Sequence, residues 1–206
     1  MSLIAAFMML AAAGGSFAPP EKLRQSELDV YFRCTANLNG DAARKLLAGA
    51  LVDASEVRSL QVMDCYHPEW LGRRVSFGNY YFAGKLAEAL IKKSRDTRAV
   101  NGARAQDVRK LPPLLISALD TDAAAERIAH TMDCVVQIAP QAAQTFVRAQ
   151  GGKAGGAARA AMLQSASECP VSEPIDPLSD AEFRAATALS LYRVWMADGR
   201  KVTEAN

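Results

Sequence analysis

The chain is short of the residues from which most enzyme sites are assembled. It has two histidines, His67 and His130, and four cysteines with no C-x-x-C among them, so neither a Cys/His zinc site nor a thioredoxin-like redox motif has its spacing. No G-x-S-x-G elbow is present, and the H-x-E of His67 and Glu69 lacks the C-x-x-C that completes a zinc deaminase. Gly151-Gly152-Lys153-Ala154-Gly155-Gly156 has no Ser or Thr after the lysine, so it reads as a flexible turn and not as a phosphate loop. No metal or cofactor is expected.

Aromatic residues and β-branched runs are also scarce, whereas alanine is abundant, a balance that favours closely packed helices over sheets. Strong charge is missing too: a net charge of +2 is too mild to attract DNA or RNA, and no nucleic-acid partner is expected. With half of its 206 residues hydrophobic, the chain can still bury a substantial core, at the size of one large domain or two small ones.

What is present begins with Leu3 to Ala13, an uninterrupted apolar run followed by Ser16-Phe17-Ala18, an A-x-A-like cleavage signal. Residues 1–18 therefore read as an export signal. Cleavage after Ala18 would place Pro19 next, and a cut after Ala13 is the alternative. No Lys or Arg precedes the run, a departure from the usual signal pattern. The expected location is the periplasm or the exterior, with no integral membrane segment once the signal is cut.

The rest of the chain echoes itself. Aligned on Cys34 and Cys134, Asp41-Ala42-Ala43-Arg44-Lys45-Leu46-Leu47 faces Gln141-Ala142-Ala143-Gln144-Thr145-Phe146-Val147, with apolar and polar classes in step. Cys65 and Cys169 recur at an offset of 104 (169 − 65), and the extra residues fall most naturally at Gly151 to Gly156, since loops absorb insertions. Phe82 to Ile91 then matches Phe183 to Tyr192, with the leading Phe, Ala87/Ala188 and Leu90/Leu191 identical. A period near one hundred is too long for a solenoid. It describes two helical repeats, 19–94 and 113–206, joined by a basic linker over 95–112.

Each repeat is expected to hold about four helices. In the first they run from about Glu21 to Leu38, Ala42 to Leu51, Ser55 to Asp64 and Asn79 to Lys93, with Asn39-Gly40-Asp41 as a stop and N-cap. Phe82, Leu86, Ala89 and Leu90 share one face of the fourth helix, as core residues do. In the second, Ala139-Pro140 marks the matching corner, and Ser179-Asp180-Ala181-Glu182 opens a last helix that reaches about Ala197. Four cysteines allow three connectivities. The duplication favours Cys34 with Cys65 and Cys134 with Cys169, because an up-down-up course brings each pair to one end of its unit. Such bridges call for an oxidising compartment, in agreement with the export signal, and each would stabilise by roughly 3–4 kcal/mol on a chain-entropy account.

A Cys-led helix, an Ala-rich second helix, a closing Cys and a Phe-led helix, all given twice, resemble uncharacterised exported helical proteins of bacteria. The resemblance implies no activity.

The copies disagree most after their second cysteines. Tyr66 to Tyr81 is crowded with aromatic and basic residues, among them Trp70, Arg73, Arg74, Tyr80 and Tyr81, whereas Pro170 to Asp180 has neither kind. Trp, Tyr and Arg dominate binding hot spots, so these five residues are the candidate binding site, for a protein or an envelope component. The competing expectation is that the aromatics cover the end of a small core. A non-catalytic binding or structural protein is the function this reading favours. The alternative is a small envelope hydrolase with a site near His67 and Glu69.

Overall fold

A computed structural model of the protein describes residues 24–48, 65, 79–94, 102–111, 123–149, 151–169, 174–175 and 177–199. Among these residues every regular element is helical. The α-helices are α1 (Gln25–Leu38), α2 (Gly40–Leu47), α3 (Asn79–Lys93), α4 (Ala123–Ile138), α5 (Pro140–Arg148), α6 (Gly152–Ala166) and α7 (Asp180–Ala197), with one 3₁₀ turn at Ala105–Asp107. The expected helix over Ser55 to Asp64 lies outside the described residues, as does the apolar N-terminal run. None of the described helices is long and apolar enough to cross a membrane.

Two helices form the centre. Along α3 every residue from Tyr80 to Glu88 is buried, and along α7 every residue from Ala185 to Trp195 is buried. A helix that is buried all round has neighbours on every side, and its apolar residues need not form a stripe. The single face expected for Phe82, Leu86, Ala89 and Leu90 is therefore part of a wider buried surface, in which Ala89 is the least covered of the four.

The two central helices approach very closely. A Cβ added at Gly84 would lie 2.3 Å from the carbonyl oxygen of Ala185 and 2.8 Å from its Cβ, so only glycine on α3 permits this crossing over a small residue on α7. The other helices are arranged around the pair. α1 and α2 pack on α3, α4 and α5 pack on α7, α2 also reaches α7, and α5 also reaches α3.

The two α-helical corners have nearly the same backbone. Asn39 (φ −128°, ψ 38°) ends α1 and starts α2, and Ala139 (φ −120°, ψ 54°) ends α4 and starts α5. The Asn39 N–H donates to Thr35 O at 2.9 Å and the Ala139 N–H to Val135 O at 2.8 Å. Neither corner uses a side-chain cap, so Asn39 acts through its backbone. Asp41 falls in the first turn of α2, where it pairs with Arg44 at 2.6 Å. Pro140 occupies the first turn of α5, where a missing N–H costs nothing. The capping box of α7 forms as expected: Ser179 Oγ accepts from the Glu182 N–H at 3.3 Å, and the Ser179 N–H donates to Glu182 Oε2 at 2.8 Å.

Disulfides join Cys34 to Cys65 and Cys134 to Cys169. They span 31 and 35 residues of sequence, a loop length at which a bridge contributes about 3–4 kcal/mol by restricting the unfolded chain.

Two expectations change. The glycines at 151–156 are not a turn throughout. Gly151 (φ 97°) caps α6 and Gly152 (φ 77°) opens it, after which the chain is helical through Gly155 and Gly156. The alanines that follow have the highest helix propensity and outweigh a cost of about 1 kcal/mol per glycine. The basic stretch expected as a solvated linker is also fastened where it is described. Gln137 accepts from the Arg109 N–H and donates to the Arg109 carbonyl, both at 2.9 Å, mimicking a strand partner for that segment. Ala103 N–H donates to Gln137 O at 2.8 Å, Arg109 pairs with Asp198, and Leu111 is buried.

Candidate functional site

Of the five candidate binding residues, Trp70, Arg73 and Arg74 lie outside the described residues, as do His67 and Glu69. Tyr80 and Tyr81 are described, and both are interior: their relative exposures are 1% and 0%. They belong to the core, and neither presents a surface to a partner. Both stand in the first turn of α3, directly after the segment that carries the other three.

The charged chemistry of the described structure sits on α3 instead. Lys85 and Glu88 are both 2% exposed, in a helix whose surroundings are otherwise apolar. The Lys85 ammonium donates to Glu88 Oε2 at 2.5 Å and to Asp29 Oδ1 of α1 at 2.6 Å. Glu88 Oε1 accepts from Lys92 at 2.6 Å, Gln25 Nε2 donates to Asp29 Oδ1 at 3.1 Å, and the Tyr81 hydroxyl donates to Gln25 Oε1 at 3.3 Å. Gln25 meets Tyr81 and Asp29 meets Lys85 four residues further along both helices, so α1 and α3 run parallel here. Two cations face two carboxylates, and the cluster is neutral as a whole.

Burial pushes the Asp29 carboxyl up, but the hydrogen bond and charge of Lys85, aided by Gln25 and Lys92, outweigh it and hold Asp29 below the ordinary carboxylate value. Burial raises the Tyr81 phenol well above its usual range. The Lys85 side chain is engaged by two carboxylates, Asp29 from α1 and Glu88 from its own helix. The arrangement holds charge in place, and it joins α1 to α3 at a fixed register.

A second buried pair joins α4 to α7. Arg193 donates to Asp133 Oδ2, and both side chains are under a tenth exposed. Asp133 Oδ1 finds no hydrogen bond of ordinary geometry among the described residues, although the Ser190 hydroxyl lies beside the carboxylate. Burial raises the Asp133 carboxyl above its ordinary value, and Arg193, Ser190 and His130 offset only part of that. His130 and Asp133 share a face of α4, three residues apart. His130 is 41% exposed and lies 3.8 Å from Glu126, while the Asp133 carboxylate is engaged by Arg193.

None of Asp29, Lys85, Glu88 or the Asp133–Arg193 pair was singled out by sequence reasoning. A signal existed, since Lys85 and Glu88 interrupt the apolar residues between Tyr80 and Ile91, and the positions that the sequence alignment sets against them, Ala186 and Leu189, are apolar. Elsewhere arginines serve as fasteners. Arg184 donates to the carbonyls of Phe146 and Ala149 and lies 4.5 Å over the Phe146 ring, tying α7 to the end of α5. Arg159 pairs with Asp180, donates to Leu178 O at 2.7 Å and stacks 4.8 Å over Phe183, which holds α6 to the start of α7. Among the described residues no three His, Cys, Asp or Glu side chains converge as metal ligands. No family model, no curated protein and no solved structure matches the chain.

Proposed function

We propose that the chain is an exported, non-catalytic binding protein, built from two copies of one helical unit, that engages a protein or an envelope component through residues 66–78. The observation that carries the binding reading is how that segment is held. It leaves Cys65, bridged to Cys34 of α1, and it enters α3 at Tyr80 and Tyr81, which are fixed in the core. Trp70, Arg73 and Arg74 thus belong to a stretch whose two ends are fixed to helices, and binding residues are disproportionately carried on connecting segments that a scaffold positions in this way.

Export is supported by the two disulfides, which form and persist in oxidising compartments, together with the apolar run at residues 3–13. Duplication is supported by the crossing of α3 and α7. Gly84 and Ala185 are matched positions when Phe82 is aligned with Phe183, and they touch one another. Contact between a residue and its own counterpart is what two copies related by an approximate twofold axis would produce.

The test is photo-crosslinking of mature protein in envelope extracts with a reactive group near position 70. A discrete partner should be captured by the native chain and lost with Trp70→Ala/Arg73→Ala. Equal capture by that double variant would contradict the assignment of the site.

A further inference from the structure

The two buried charge clusters occupy positions that differ between the copies, and this suggests what they do. Under the alignment of Cys34 with Cys134 and Phe82 with Phe183, Asp29, Lys85 and Glu88 correspond to Ala129, Ala186 and Leu189. All three counterparts are buried. Asp133 and Arg193 correspond in turn to Arg33, which is exposed, and to Lys92, which pairs with Glu88. The second copy packs α4 on α7 without the first copy's cluster, so that packing does not require it.

A duplicated protein faces an assignment problem. α1 could settle on α7 and α4 on α3, within one chain or between two, because each outer helix carries a similar apolar face and α2 and α5 already reach the opposite central helix. We propose that the buried charges act as an address that assigns each outer helix to its own central helix. This rests on the duplication proposed above.

The exchanged arrangement can be followed residue by residue. With α1 on α7, Asp29 would face Ala186 and Leu189 with no cation, and Arg33 would take the place of Asp133 against Arg193, a like charge. With α4 on α3, Ala129 would stand where Asp29 receives Lys85 and Asp133 would take the place of Arg33 beside Lys92, so that half of the exchange balances its charges and the penalty falls on α1, whose Arg33 would meet Arg193. Native packing satisfies Asp29 with Lys85, Glu88 with both lysines, and Asp133 with Arg193. Buried ion pairs add little net stability over apolar residues of similar volume, but an unpaired buried charge is strongly unfavourable. Specificity from buried polar groups works through that asymmetry, by penalising the wrong partner.

The experiment equalises the two copies in the full chain with the quadruple variant Asp29→Ala, Arg33→Asp, Lys85→Ala and Glu88→Leu, each residue being the one the other copy carries at the matching position. The chain is labelled with 5-fluorotryptophan, refolded from the reduced, unfolded state and examined by ¹⁹F NMR and gel filtration. Trp195 on α7, fully buried, reports which helices surround α7, and Trp195→Phe identifies its signal. The native chain should give one Trp195 resonance and a single oligomeric state. The quadruple variant should fold, with a second Trp195 resonance or an exchanged dimer at a level about tenfold or more above native, as expected when the penalty of an unpaired buried charge is removed.

A folded variant with one resonance and one oligomeric state would overturn the proposal. So would a variant that fails to fold, since the second copy packs with those same residues. The duplication itself is tested separately by the reciprocal variant Gly84→Ala/Ala185→Gly, which a twofold crossing accepts. If that chain folds while the equalised chain stays single, the address fails and the duplication stands. If it folds no better than Gly84→Ala alone, the duplication fails, and the address with it.

Discussion

The seam between α1 and α3 and the seam between α4 and α7 solve the same packing problem with different chemistry. The first buries a lysine and a glutamate, links them to Asp29 and Lys92, and satisfies both carboxylates with cations. The second places Ala129, Ala186 and Leu189 at the matching points and holds one pair, Asp133 with Arg193, four residues further along each helix. Small and apolar residues pack both seams, and buried charge is added onto that packing at places that need not coincide. Charge in such a position contributes selectivity among alternative pairings more than net stability.

The comparison can be broken most forcefully at Asp133. Asp133→Ala removes the side chain that accepts from the buried Arg193 guanidinium and should be the most destabilising of these changes, read from urea unfolding. Asp29→Ala should cost less, because Lys85 keeps Glu88 and the Asp29 carboxylate is already more than a third exposed. Equal losses at the two positions would mean that the seams are not energetically distinct. Next in size is Gly84→Ala at the central crossing, expected to cost about 3 kcal/mol because the new methyl group meets backbone and not a movable side chain.

The seams should also respond to acid with opposite sign. Asp29 has a lowered carboxyl pKa in the folded state, so the unfolded chain binds protons more readily. The stability it contributes is present above the unfolded value, near 3.8, and is lost as pH falls through the lower folded value. Asp133 has a raised pKa, so the folded chain binds the proton more readily, and its protonation adds stability as pH falls through that raised value. Asp29→Asn should therefore flatten the acid loss of stability, and Asp133→Asn should steepen it, in unfolding midpoints followed from neutral pH downward. Changes of the same sign in both variants would contradict the assignment. The smallest effect is expected at the start of α7, where Ser179→Ala removes one side of the capping box and should cost about 1 kcal/mol in thermal or urea unfolding.

The helical class and both disulfides were legible in the sequence, because its cysteines and turn residues recur in one order. Cys34, Cys65, Cys134 and Cys169 recur in an order that favours one connectivity, and both bridges form as that order suggests. The limits of α3 and α7 could be read from Asn79, the box at Ser179 and Glu182, and the apolar residues between. What could not be read is which helices become central. An amphipathic stripe describes one neighbour, whereas α3 and α7 have neighbours all round, and burial of Lys85 depends on Asp29, 56 residues away in sequence. The glycines at 151–156 misled because their turn preference is local, and the alanines beyond them propagate a helix through it. Gln137 could not be recognised as a clamp, since its partners are backbone groups of residue 109, which carry no sequence signal. At the candidate site, the sequence contrast after Cys65 selected Tyr80 and Tyr81 along with Trp70, Arg73 and Arg74. Composition does not tell an aromatic residue that anchors a segment from one that faces a partner, and the two tyrosines are anchors.

The proposed duplication docks two copies through one twofold crossing, and urea unfolding of three chains tests it most directly. Gly84→Ala should lose about 3 kcal/mol, Ala185→Gly should lose less, and the reciprocal double variant should recover most of the Gly84→Ala loss, because about a twofold axis the two helices can shift to exchange roles, the new methyl group at position 84 taking toward position 185 the place that Ala185 now has toward Gly84. Losses that simply add in the double variant would show that the two positions are not equivalent, and would contradict the duplication at its centre.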